Sequence, residues 1–158
     1  MSRLKHFVFD FYIPIGIVGV VIALWVLNRA TFDAQATAIT IGSGLSFLYF
    51  VQKQKLEELE LFNRLFVGFN EKYDGVNEKL RTILHGETSS PLTRDECEIL
   101  TDYFNLCAEE FFFYKHGLVY PEVWRAWRNG MQVYFGNSRI REFWKDEMKT
   151  DSYYGFTP

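Results

Sequence analysis

Charge is scarce in the first third of this sequence. Before Gln52 only Arg3, Lys5, Asp10, Arg29 and Asp33 carry it. A mean hydropathy of -0.10 conceals this split, because almost all the charge follows Val51 and almost all the uninterrupted apolar sequence precedes it. Cysteine is equally scarce. Cys97 and Cys107 stand ten residues apart on one expected helix, which excludes a disulfide between them and fits two free thiols in a reducing compartment. No stretch alternates polar and apolar residues as a strand does, and no repeat recurs at fixed period. A net charge of -3 excludes a generally basic DNA-binding protein.

Chemical signatures are missing as well. There is no nucleophile elbow, phosphate-binding glycine loop, dinucleotide fingerprint or HExxH pair. His6, His85 and His116 have no cysteine or carboxylate at ligand spacing, so no metal site is expected and each reads as a solvated or capping histidine. Without paired carboxylates or an activated nucleophile, the sequence gives no catalytic residue, and no enzyme or cofactor is expected.

The apolar third divides in two. Phe11–Asn28 is free of charge and long enough, as a helix, to cross a hydrocarbon layer of about 30 Å. Pro14 is expected in its first turn, where a missing N–H matters least. This run exceeds a typical signal-peptide core, and no small-x-small cleavage site follows it. Ala34–Val51 is also uncharged but holds hydroxyls and two small-residue stripes, Ala36/Thr40/Gly44 and Ala38/Gly42/Ser46. Such stripes let helix backbones approach closely, and hydroxyls and glycines tolerate water if several copies line a pore. The link Arg29–Asp33 is short, so residues 1–52 read as a transmembrane helical hairpin, with helices over about 11–28 and 34–51. Basic residues flank it outside (Arg3, Lys5 and His6 before it, Lys53 and Lys55 after it), which is expected to place both termini in the cytoplasm, with the hairpin in the cell's inner membrane.

Residues 53–158 read as a cytosolic all-α bundle. Leu56, Leu59, Phe62, Leu65, Phe66, Phe69 and Tyr73 follow helical spacing. Asp74–Gly75 signals a turn, with a short helix over Val76–Leu84 after it. Thr93 and Glu96 form a capping box for a helix to about His116, with Gly117 beyond its end. Pro121 opens the next helix, with Trp124, Trp127, Met131, Tyr134 and Phe135 inward. Gly136 stops it, and Asn137 or Ser138 caps a last helix with Ile140, Phe143, Trp144 and Met148 inside. The tail Tyr153–Phe156 either docks in an aromatic groove or frays.

Charge returns unevenly. Phe111–Lys145 holds six basic residues (Lys115, Arg125, Arg128, Arg139, Arg141, Lys145) against two acidic ones (Glu122, Glu142). Aromatics are interleaved with them. Arginine forks bind phosphate bidentately, and rings stack on bases. Lys115, His116, Arg125, Arg128, Arg139 and Arg141 are therefore candidates for a phosphate-bearing ligand, most plausibly a nucleotide. Two other readings stay open: ion pairing with the acidic residues before Phe111 or plain solvation of an exposed face, and contact with anionic lipid headgroups.

The apolar hairpin Phe11–Val51 and the stretch Glu109–Lys145 (EEFFFYKHGLVYPEVWRAWRNGMQVYFGNSRIREFWK) together resemble the membrane-protein ancillary effectors of type III CRISPR systems. Those small phage-defence proteins bind cyclic oligoadenylate, typically cyclic tetra-adenylate, and impair the host membrane. The resemblance implies a cyclic nucleotide second messenger and the lipid bilayer as partners. It also implies a homo-oligomer, with a tetramer favoured, because a symmetric ligand suits a symmetric interface. It assigns no individual residue. The competing expectation is a membrane-anchored assembly protein that binds a protein partner through its aromatic helical domain.

Overall fold

In the computed structural model the described residues are 2–30, 34–87 and 90–158, with side chains from Phe11 onward except at 28 and 30. The expected link over 29–33 falls partly outside them, as do the side chains of Arg3, Lys5 and His6 and part of the loop 85–91. The described chain is all-α: α1 (Ser2–Ala30), α2 (Ala34–His85), α3 (Arg94–Lys115), α4 (Pro121–Phe135), α5 (Ser138–Glu147) and a 3-10 turn, Met148–Thr150. It divides into two compact units, 1–60 and 61–158, a few residues beyond the boundary expected at 52.

In the first unit, α1 and the start of α2 pack antiparallel. Glycines set the approach. A Cβ on Gly16 would lie 2.6 Å from Leu48 Cδ2, and one on Gly44 would collide with Val20. The stripe containing Gly44 thus serves the pairing of these two helices. The other stripe, Ala38/Gly42/Ser46, is exposed. Thr40 satisfies its hydroxyl by donating to the Ala36 carbonyl at 2.9 Å. Nearer the second unit in sequence, the Lys55 ammonium lies 5.2 Å from the Tyr12 ring. Among the described residues, α2 is the helix long and apolar enough to cross a membrane, and α1 holds a shorter apolar stretch, Phe11–Leu27.

Two expectations about these helices are corrected. Pro14 lies inside α1 rather than in its first turn, because the helix continues back to Ser2. Its missing N–H therefore costs α1 one interior bond. Nor does Asp74–Gly75 make a turn: α2 runs unbroken through it to His85. A helical glycine costs only about 1 kcal/mol. Burial outweighs that cost. Phe69, Leu80 and Ile83 are buried and Tyr73 and Val76 half-buried along one continuous stripe, which a turn would split.

The second unit buries rings from every segment. Leu100, Phe104 and Cys107 of α3, Ile140 of α5 and Phe156 of the tail have no exposed surface. Local signals place the ends. Thr93 and Glu96 form the capping box. Gly117, at φ 76°, closes α3 with Leu118 N–H bonded to Phe113 O and Gly117 N–H to Tyr114 O, the Schellman pattern. Pro121 opens α4, and Asn137 caps α5 by accepting from the N–H groups of Arg139 and Ile140. The tail docks rather than frays: Tyr153 and Phe156 are buried. On α2, Phe62, Phe66 and Phe69 meet Tyr120, Trp127 and Phe113. Leu56 and Leu59 stay exposed.

Gly75 is helical, and a Cβ there would meet nothing within 4 Å. Gly75→Ala should raise stability by about 0.5–1 kcal/mol. Gly117→Ala should lower it by roughly 1–2 kcal/mol, since Gly117 holds a left-handed conformation. Urea unfolding of the two variants beside the parent measures both signs.

Candidate functional site

The six residues singled out in the sequence do not converge. Arg125 and Arg128 share an exposed face of α4, Arg141 is exposed on α5, and Lys115 is exposed in the last turn of α3. Among the described residues none of these four makes an ion pair. His116 is occupied locally: its Nδ1 lies 2.8 Å from the Phe112 carbonyl and its ring centroid 4.2 Å from that of Phe112. It caps its own helix.

Arg139 follows the ion-pairing reading. Its side chain is 9% exposed, and Nη2 lies 3.2 Å from Glu96 Oε2. The same nitrogen donates to the Pro91 carbonyl at 3.3 Å. Glu96 also accepts from the Thr93 N–H at 2.8 Å. That backbone bond, then the Thr93 hydroxyl and Arg139, hold its carboxyl below the usual range. Arg139 thus ties the start of α5 to the start of α3. The adjoining groove, about 410 Å³, also presents Glu142, Asp146 and Cys97. Two carboxylates in the wall are the wrong sign for phosphate.

A second groove, about 510 Å³, lies in the same unit between the α2 segment 64–72, the end of α3 and the tail. Its wall holds Arg64, Gly68, Lys72, Glu109, Phe112 and Tyr154. None of the six sequence candidates lines it. Arg64, Gly68 and Lys72 are four residues apart in turn, so they stack along one face of α2. A Cβ on Gly68 would meet nothing within 4 Å, so the space between the two cations is open. Lys72 Nζ lies 2.5 Å from Glu109 Oε2, whereas Arg64 has no ion-pair partner among the described residues. Tyr154 is 57% exposed, and its ring centroid is 5.2 Å from that of Phe112. The helical spacing of Arg64, Gly68 and Lys72 was available in the sequence. Their meeting with Tyr154, more than eighty residues later, was not.

Glu110 is the other residue missed. Spaced three after the core residue Cys107, it falls on the buried face of α3 and is 6% exposed. Burial first, and the neighbouring Glu109 charge second, push its carboxyl up to about 8, against a weaker pull from Lys72. Burial likewise pushes the Cys107 thiol well above its ordinary range.

No family model matches the sequence, and no curated protein or solved structure matches it.

The raised Glu110 pKa has a definite sign. Below the unfolded value of 4.5 both states hold the proton, and burial of a neutral acid costs no charge. Between 4.5 and about 8 only the folded state keeps it, so stability falls as pH rises through this window. Glu110→Gln should leave stability little changed near pH 4 and raise it progressively to about pH 9. The gain there should be on the order of 2–4 kcal/mol. Urea midpoints across this range test it, and a pH-independent difference would contradict it.

Proposed function

We propose that this chain is a membrane-anchored antiviral effector, not an enzyme, whose helical domain binds a cyclic oligoadenylate and thereby perturbs the host membrane. The observation that carries the membrane half is the outward face of the first unit. Ile17, Val21, Ile22, Trp25, Leu45 and Phe50 are each more than half exposed. Leaving such side chains in water forgoes about 1.5–3 kcal/mol apiece. A bilayer removes that penalty. In this reading α1 and the start of α2 cross the inner membrane as a hairpin with both termini cytoplasmic. The open stripe Ala38/Gly42/Ser46 then suits contact with further copies, with a tetramer favoured.

Exposed and unpaired cations support the ligand half. Lys115, Arg125, Arg128 and Arg141 are exposed, make no ion pair among the described residues, and offer charge for phosphates without first breaking one. Arg139 and His116 contribute less, since both are already engaged. A ligand shifts the membrane unit only by binding its active arrangement more tightly. α2 belongs to both units and gives that bias a covalent route.

Isothermal titration of the full chain in lipid nanodiscs with cyclic tetra-adenylate tests the ligand half. Saturable binding should weaken at least about tenfold in Arg125→Glu and Arg128→Glu. Unchanged affinity in both variants, or no heat at all, rejects it. For the membrane half, the chain should stay with vesicles through an alkaline wash, and its recovery in the aqueous supernatant would refute the anchor.

The competing reading, an anchored assembly protein, draws on Phe112, Tyr120 and Val133, apolar side chains exposed on the second unit. It expects function to survive a scrambled hairpin of equal hydrophobicity, which the effector reading does not.

A further inference from the structure

The groove beneath Tyr154 has the parts of a small-molecule site. Tyr154 and Gly155 both hold positive φ, 53° and 74°, and Phe156 N–H bonds to Tyr153 O at 2.8 Å. That is the pattern of a primed β-turn, whose first central position favours Asn, Asp or Gly. A tyrosine there is strained. Buried Tyr153 and Phe156 anchor the turn from both sides and hold it in place. The strain keeps an aromatic ring, 57% exposed, over the groove instead of in the core.

The same groove is lined by a guanidinium, that of Arg64. Arg64 has no ion-pair partner among the described residues, and Gly68 leaves the wall open beside it. Lys72 is balanced by Glu109, so the groove carries one net positive charge from Arg64. Its remaining surface is Leu65, Phe69, Phe112 and Phe113. A volume of about 510 Å³ is far larger than an inorganic anion needs and falls in the range of small-molecule pockets.

We propose that this groove binds a planar-ring organic anion of mononucleotide size, its anionic group on Arg64 and its ring on the open face of Tyr154. An arginine fork holds a phosphate or carboxylate in two parallel bonds, and a ring on tyrosine adds stacking that neither a bare anion nor a bare ring receives together with it. The site contains none of the cations of α4 and α5. It therefore stands or falls apart from the effector reading.

Adenosine 5′-monophosphate is the probe, titrated into the full chain in nanodiscs by calorimetry, with inorganic phosphate and adenosine as separate titrants. The nucleotide should bind with a Kd at or below about 1 mM, and each half-ligand at least about tenfold more weakly. Arg64→Ala and Tyr154→Asn should each cost about tenfold, the second with a residue the turn prefers. Gly68→Leu, which fills the open wall beside Arg64, should abolish binding. Far-UV circular dichroism identifies any variant that fails to fold, and the remaining variants then decide. Arg94→Gln, on a distant exposed ion pair, should leave affinity unchanged. No binding up to about 5 mM, phosphate binding as tightly as the nucleotide, or affinity indifferent to the folded groove variants would each overturn the assignment.

Discussion

Phe104 has no exposed surface, and the second unit is organised around it. Its ring stacks on Phe135 at 5.5 Å and meets Trp144 edge-on at 4.9 Å, with Tyr103, Phe143 and Tyr153 at 5.8–6.4 Å. One side chain of α3 thus contacts α4, α5 and the tail. Rings serve this role because each buries a large area in a few rigid atoms and prefers tilted or offset contact at such separations. Phe156 repeats the pattern about two turns along α3, touching Phe111, Trp124, Phe135 and Trp144. With the two rings sharing Phe135 and Trp144 as neighbours, a domain of under a hundred residues closes a core without disulfide or metal among its described parts.

Local chemistry made much of this legible in advance. The capping box at Thr93, the glycine at 117, the proline at 121 and the asparagine at 137 act within a few residues of themselves, and each ends or starts a helix where its own geometry requires. The inward stripes of α4 and α5 follow from helical period alone. Asp74–Gly75 misled because a turn signal is a modest local preference, and the stripe from Phe69 to Ile83 gains more from staying in register. Glu110 was hidden by its charge. Spacing put it inside, and residue type argued for outside.

The candidate site was less legible because charge composition says nothing about partners. Six basic residues over Phe111–Lys145 look like one patch in sequence, yet Arg139 is committed to Glu96 and Pro91, Lys145 pairs with Glu142, Arg125 and Arg128 share a face of α4, and Lys115 and Arg141 stand on other helices. Conversely, the groove with an unpaired guanidinium combines α2 with the tail. Such a site exists only once both have docked on α3. The first unit is the opposite case. Its outward apolar side chains are what composition says they are: Ile17, Val21 and Leu45 are each more than half exposed.

The two thiols give the molecule an internal clock. Cys97 is half-buried near the start of α3, whereas Cys107 has no exposed surface and is packed beneath the Phe104 assembly. Only a thiolate attacks an alkylating reagent, and burial disfavours that form at both positions, more strongly at Cys107. Modification of Cys97 needs local breathing of one helical turn. Modification of Cys107 must wait until the ring assembly parts, so its rate counts openings of the domain without any introduced label.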